Sequence, residues 1–387
     1  MVVLINFMKL ATTTLVFCVA ALLALGMVML FSASMGQPEA NYLVMQPIWC
    51  GIGFLACLLA GSGDYRWLKK FGWIPWTLLG LAVALLVAVL VPGIRTTING
   101  AHRWVHIGKF TMQPSEPAKV ALMIALAFYG ERYQRRMPTF MHGIVYPGAM
   151  IAVVLGLIFM EPDVGTALLL GTVSAVMLLV AGIRWRYLLP PVLVVATALG
   201  LFLYKNPMRS ERIYSWLHLE ETKMGKGLQA YQAMVALGSG GVSGVGLGDG
   251  RQKLGFVPEH HTDFIFSVIG EELGLVATLA VLLAFIAIAI CGVYIARRAR
   301  DTFGMLLASG ITFLICLQAI INIGVVTGAL PNKGVSLPFI SYGGSNLVVM
   351  LGAVGLLLNI ARNSAEPEEA DDPVIEPGGL GAAHAST

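Results

Sequence analysis

The sequence predicts an all-α integral membrane protein of about ten transmembrane helices, with a large extracytoplasmic loop between the seventh and the eighth. Three observations carry this. Of the 387 residues, 57% are hydrophobic and only 12% charged, whereas a soluble domain is nearer a quarter charged. The mean hydropathy is +0.79, and the apolar residues fall in consecutive runs near the ~20 residues a helix needs to cross a bilayer. Finally, Lys and Arg alternate between the short connections. Arg66, Lys69 and Lys70, then Arg132, Arg135 and Arg136, then Arg184 and Arg186, then Arg297, Arg298 and Arg300 lie on one side, while 35–42 and 161–163 carry none. The basic side is cytoplasmic, which places both termini in the cytoplasm.

The predicted spans run over 10–34, 43–62, 73–92, 114–130, 142–160, 164–182, 187–204, 263–296, 303–328 and 338–361. The first opens like a signal peptide, with Lys9 ahead of an apolar run and Ser32-Ala33-Ser34 behind it. The run is longer than a signal-peptide core and reads as a retained helix. Glu161-Pro162-Asp163 alone divides the fifth span from the sixth, so that joint is equally a kink within one unit. Residues 1–362 form the membrane domain, and the acidic, then Gly/Ala-rich tail 363–387 is expected to be disordered in the cytoplasm. Five cysteines lie in apolar runs without metal-ligand spacing and read as core residues. Two longer outer loops, 93–113 and 205–262, are basic. Long loops translocate despite their charge, and basic charge there suits an anionic partner at the membrane surface. No nucleic-acid partner is expected.

Five stretches concentrate chemistry. In NGAHRWVHIGKFTMQPSEPAK, 99 to 119, Arg103, Trp104 and Lys109 precede Glu116 and Lys119, which share a helix face at i, i+3 spacing. Trp104 is also a candidate interfacial belt residue. The Glu116–Lys119 pair is structural on one reading and functional on the other, since ionisable groups at membrane depth are functional candidates. In MEPDVGTAL, Pro162 breaks a helix and Asp163 can cap the next. LGSGGVSGVGLGDGRQK, 237 to 253, is neither a P-loop nor a dinucleotide fingerprint. Its glycines make either a hinge or an anion-binding nest, with Arg251 and Lys253 favouring phosphate. PEHHTDFIF, 258 to 266, places Glu259, His260, His261 and Asp263 before an apolar run. The histidines lack the i, i+4 spacing of a helical metal pair, and Asp263 is open as a helix cap or a base. TGALPNKGVSLPFISYGGSN, 327 to 346, reads as a broken, partly re-entrant outer loop.

Together these stretches, in this order and at this spacing, resemble the SEDS family (shape, elongation, division and sporulation) over residues 10–362. The resemblance implies a ten-helix, inverting glycosyltransferase that polymerises lipid II, an undecaprenyl-pyrophosphoryl disaccharide-pentapeptide, into uncrosslinked glycan. It implies a class B penicillin-binding protein as partner, with other divisome or elongasome membrane proteins. LPNKG followed by SLPFISYGGS favours the division branch over the elongation branch. His260, Val105, Asn346 and Glu161, where Gln is common, depart from the usual pattern.

The resemblance makes Asp263 the catalytic base, and a carboxylate base is strengthened by partial desolvation. Arg103, Lys109, Lys119 and Lys253 become candidates for the substrate's pyrophosphate, with the glycine loop assisting and Trp104, Glu116, Arg251, Glu259, His261, Lys333 and Ser341 as further substrate contacts. A divalent cation, magnesium or manganese, is an optional participant, with Asp263, Glu259 or Glu116 as oxygen ligands. A lipid II flippase and a non-catalytic scaffold are the alternatives. A flippase needs a polar path through the whole membrane, whereas the dense polar motifs here lie on the outer side.

Overall fold

A computed structural model describes residues 2–34, 42–92, 95–98, 101–107, 110–225, 227–251 and 262–365. In chain order its elements are α1 (Val2–Ser34), α2 (Tyr42–Ser62), α3 (Trp67–Lys70), α4 (Ile74–Leu90), β1 (Arg95–Ile98), β2 (Ala101–Ile107), β3 (Phe110–Met112) and α5 (Ser115–Arg132). There follow α6 (Tyr146–Met160), α7 (Val164–Val180), α8 (Trp185–Lys205), α9 (Pro207–Leu217), α10 (Leu219–Thr222), α11 (Leu228–Ser239), α12 (Ile265–Arg298), α13 (Thr302–Val326) and α14 (Gly344–Ala365). A π-helical turn, Met141–Val145, leads into α6.

Each run predicted from hydropathy carries a helix, and seven described helices are long and apolar enough to cross a membrane. Two more, Ile74–Leu90 and Val164–Val180, are apolar but shorter. The helix in the remaining run, α5, carries Glu116, Lys119, Glu131 and Arg132 and is nevertheless buried along most of its length. Its neighbours α13 and α14 are largely buried too. At the other extreme α8 buries none of its residues. α14 packs on α2 so closely that a methyl group on Gly355 would strike the backbone of Cys57, the small-residue contact by which helices approach without a side-chain layer.

Two features add to the sequence expectation. The 93–113 loop contains a three-stranded antiparallel sheet in the order β1-β2-β3, pairing Thr96 with Trp104 and Val105 with Met112. The segment between α8 and α12 is not an open loop, because α9 and α11 fill much of it. The last helix also continues through Ala365, past the predicted tail boundary at 362.

One end of the bundle is closed by an ionic clamp. Lys69 Nζ lies 2.7 Å from Glu131 Oε1 and 2.7 Å from Asp301 Oδ2. Asp301 also accepts from the Gly304 amide at 2.7 Å, capping α13, and from the Tyr65 hydroxyl at 3.0 Å. Asn359 donates to the carbonyls of Ala60 and Gly63, both at 2.7 Å, tying α14 to the end of α2. Burial works to raise the Asp301 pKa, but the Lys69 ammonium, the Gly304 amide and the Tyr65 hydroxyl outweigh it and hold the carboxyl below its ordinary value. Its contribution to stability is therefore complete above the unfolded carboxylate pKa, near ~4, and is lost as pH falls through the lower folded value. Lys69→Met should cost about 1–3 kcal/mol, between the surface and buried limits for a broken ion pair. It should also weaken the loss of stability on acidification, measured as thermal melting of the detergent-solubilised protein between pH 3 and 7. An unchanged melting temperature and acid profile would remove the clamp from the account.

Candidate active site

The end of the bundle away from the clamp holds the polar motifs, and its architecture begins with a break in α12. Gly274 has φ 73° and ψ −168° inside that helix, a conformation only glycine adopts without strain. The break frees backbone amides, and the glycine-rich stretch takes them up: Leu275 and Val276 donate to the carbonyls of Gly241 and Val242, at 3.0 and 3.3 Å. In return the Val245 and Gly246 amides donate to the carbonyls of Glu271 and Glu272, at 3.0 and 3.1 Å. The carboxylates join the same lacing. Glu272 accepts from the Gly248 amide at 3.0 Å and from the Ser32 hydroxyl at 2.6 Å, and Glu271 accepts from the Arg251 amide at 2.9 Å. The glycine stretch thus cradles the Glu271 and Glu272 carboxyl groups, both nearly fully buried. The Arg251 side chain is exposed to solvent.

Asp263 occupies the turn just before α12. It does not cap the helix: the N-cap position is Phe264, with no side-chain cap. Its carboxylate is half-buried and faces Gly334, where an added Cβ would stand 2.8 Å from Oδ2. Two side chains fix the turn to the 331–341 segment. Asn322 Nδ2, from α13, donates to the Asp263 carbonyl at 2.8 Å and to the Val335 carbonyl at 2.7 Å. Ser341 Oγ donates to the Thr262 carbonyl at 2.6 Å and accepts from the Leu337 amide at 2.7 Å. Lys333, next to Gly334, is half-buried, and its ammonium has no hydrogen bond or ion pair among the described residues. Burial holds its pKa below the ordinary lysine value.

The 161–163 joint forms the adjoining wall. Asp163 caps α7, accepting from the Thr166 amide at 3.0 Å and the Thr166 hydroxyl at 2.9 Å. Gln113, at the foot of β3, adds a bond to Asp163 Oδ2 at 3.3 Å. From β2, Arg103 clamps the joint: Nε and Nη2 donate to the carbonyls of Glu161 and Pro162 at 3.1 and 2.9 Å, and Nη1 lies 3.5 Å from Asp163 Oδ2. Trp104 beside it is half-buried. The Glu161 carboxyl is fully buried, and neither oxygen has a hydrogen-bond partner among the described residues. Burial pushes its pKa up to about 8, the Asp163 charge adds to the rise, and Arg103 opposes it.

Beneath these walls runs a sealed network. Lys119 bonds Glu116 at 2.8 Å and Gln318 at 3.2 Å. Gln318 donates to the Ser336 carbonyl at 2.9 Å and to Asn346 at 3.2 Å, and Asn346 reaches the Ser336 hydroxyl at 2.8 Å. Lys119 is 1% and Glu116 6% exposed, so in this structure both lie in the floor of the site. Ser341, at 4%, is buried as well.

The structure therefore brings Asp263, Lys333, Arg103 and Ser341 to one end, over the Glu116–Lys119 network. Lys109, Lys253, Glu259, His260 and His261 lie outside the described residues. Among the described residues no three His, Cys, Asp or Glu side chains gather as a metal site, and Glu116 is engaged by Lys119, away from Asp263; no step below is routed through a cation. Asn322, Gln318 and Gly334 were not among the sequence candidates. Two amides four residues apart in an otherwise apolar helix were the signal available for the first two.

The family model described as "Cell cycle protein", named for FtsW, RodA and SpoVE, matches residues 13–366. A Geobacter metallireducens protein named "Probable peptidoglycan glycosyltransferase FtsW" is 40% identical over 347 residues, 88% of this chain and 92% of that protein. A solved structure described as "Structural coordination of polymerization and crosslinking by a peptidoglycan synthase complex" superposes with a TM-score of 0.75 at 30% identity, covering 90% of this chain and 97% of its own. The crystal structure of the Thermus thermophilus rod shape determining protein RodA gives a TM-score of 0.67 at 30% identity, covering 91% and 97%.

The buried Glu161 carboxyl sets a pH test. It keeps its proton in the fold up to about pH 8, whereas the unfolded chain releases it near ~4.3. Stability therefore falls as pH rises between those values. Glu161→Gln removes that slope and should stabilise the protein at pH 8 by at least about 1 kcal/mol, read as a raised melting temperature and a flatter profile from pH 5 to 8. A variant less stable than the parent at pH 8 would contradict a protonated Glu161.

Proposed function

Because the chain belongs to the SEDS family of FtsW, RodA and SpoVE, as a multi-pass membrane peptidoglycan glycosyltransferase of cell-wall synthesis, we propose that it polymerises lipid II with Asp263 as general base. The observation that carries this reading is a half-buried carboxylate turned toward Gly334, one residue from a lysine ammonium that has no partner among the described residues. Asp263 takes the proton from the acceptor sugar hydroxyl as its oxygen attacks the donor's anomeric carbon. The bond from that carbon to the pyrophosphate oxygen breaks, the electron pair leaves with the pyrophosphate, and configuration inverts. A single displacement needs no second nucleophile, unlike retaining glycosidase chemistry. Lys333 balances the growing charge on the leaving group, the kind of preorganised stabilisation that dominates such barriers. Lys109, Lys253, Glu259 and His261 are further contacts in this proposal, with Arg103 holding the wall that the substrate meets.

The same proposal carries the topology: ten spans, both termini in the cytoplasm, and polymerisation on the outer face. Division is the favoured setting, given the LPNKG stretch and the FtsW relatives. The partner is a synthase that crosslinks the product, of the class B penicillin-binding type, as the similarity to a chain from a peptidoglycan synthase complex supports.

Asp263→Asn keeps the side-chain volume and should lower glycan synthesis from lipid II by at least ~10²-fold, without moving the melting temperature. Gly334→Ala should also slow the reaction, because its Cβ displaces the carboxylate. The assay in detergent leaves no membrane to flip across, so glycan chains formed there separate an enzyme from a flippase or a scaffold. Wild-type chain yield from Asp263→Asn would remove Asp263 from the mechanism.

A further inference from the structure

A second cluster of cationic groups lies where α6, α8 and α9 meet. Arg209, in the first turns of α9, stacks its guanidinium 4.6 Å from the ring centre of Phe202 on α8 and 6.0 Å from that of Phe159 on α6. Its Nη1 is buried with no hydrogen-bond acceptor among the described residues. Arg212, one turn further along α9, is exposed, and its side chain has no acceptor or carboxylate partner among the described residues. Arg103 reaches the same corner, because it holds the carbonyl of Glu161, two residues past Phe159; burial and then the like charges of Arg212 and Arg103 depress the Arg209 pKa. Among the described residues only Arg103 of the three is compensated, through its contact with Asp163.

Stacking on an aromatic face explains how Arg209 tolerates burial, but it uses the flat side of the guanidinium. Nη1, in the plane of the fork, is left unserved among the described residues, and a buried unserved donor costs free energy. Clustering guanidinium groups without counter-ions is unfavourable unless an anion completes them. The planar fork matches the paired oxygens of a phosphate. The surroundings say what carries that phosphate. Phe159 and Phe202 lie near the ends of two apolar helices, and Met160, Leu201 and Tyr204 beside them are 65%, 57% and 82% exposed. A ligand seated here would have its anionic group on the arginines and apolar mass along α6 and α8. We infer that Arg209 and Arg212, backed by Arg103, form a binding site for the phosphate group of a membrane-embedded lipid, separate from the Asp263 turn.

The test is native mass spectrometry of the delipidated full chain in detergent, titrated with phosphatidylglycerol and, separately, with inorganic pyrophosphate. No glycan synthesis is read, so the result stands apart from the fate of Asp263. The parent protein should hold one lipid tightly. Arg209→Gln/Arg212→Gln should weaken it by about 10-fold or more, as expected for loss of charge-assisted bonds worth over ~1.4 kcal/mol. Arg135→Gln/Arg136→Gln, on the opposite end of the bundle, should bind as the parent does. Arg209→Lys/Arg212→Lys keeps the charge but loses the fork and the stack, so it should lie between, and it serves if the glutamine variant fails to fold. Parent-like lipid binding in either cluster variant would overturn the site. Pyrophosphate binding as tightly as the lipid would assign the cluster to a soluble anion and overturn the membrane-lipid assignment.

Discussion

A backbone amide freed at membrane depth has no water to turn to, and most of this structure follows from how the chain meets that constraint at Gly274. Breaking α12 there requires acceptors, and the glycine-rich stretch supplies them as carbonyls. That stretch has amides of its own to satisfy, and the carbonyls and carboxylates of Glu271 and Glu272 answer them. The exchange closes on itself. It converts what would be a loose loop into a wedge against the first turns of α12, and those turns set where Asp263 stands. Ser32 extends the bond set to α1.

The same logic of mutual satisfaction repeats at the two ends of the bundle with different chemistry. On one, amides and hydroxyls (Asn322, Gln318, Asn346, Ser341) stitch a broken connection to its neighbours. On the other, Lys69 joins two carboxylates across three connections. Neutral groups hold the turn before α12 and the 331–341 segment, while the charged Arg103 holds the 161–163 joint beside them. Asp263 and Lys333 are the charged side chains that this frame carries half-buried at the surface. Lys119 and Glu116 show what happens to an ion pair placed deeper: it is sealed and becomes part of the frame.

The helices were legible because hydropathy is a sum over ~20 residues and survives local irregularity. Asp163 as a cap was legible for a different reason: capping is decided within one turn of chain. The residues that escaped were those whose role depends on a distant partner. Nothing local says that the glycine stretch would close on Glu271 and Glu272, more than twenty residues on, instead of on a ligand. Gln318 and Asn322 are diluted by the apolar run around them, although their spacing was visible. Strands β1 and β3 are only four and three residues long, so little alternation accumulates in them. Asp263 itself was assigned through resemblance; the residues alone left cap and base open, and the turn geometry then removed the cap.

The bareness of α8 has a consequence for how this chain is free to change over generations. A helix that buries none of its residues is specified by its solvent and not by its neighbours. Exchange among Leu, Val, Ile and Ala at its exposed positions disturbs little packing, so drift there is limited by total hydropathy, while Tyr187 against Phe140 and Phe202 beneath Arg209 are held by contacts. α5 is the opposite case, with a partner for nearly every side chain. Two helices of one bundle thus carry different amounts of information per residue, and a record of substitutions along the chain should read as a map of burial.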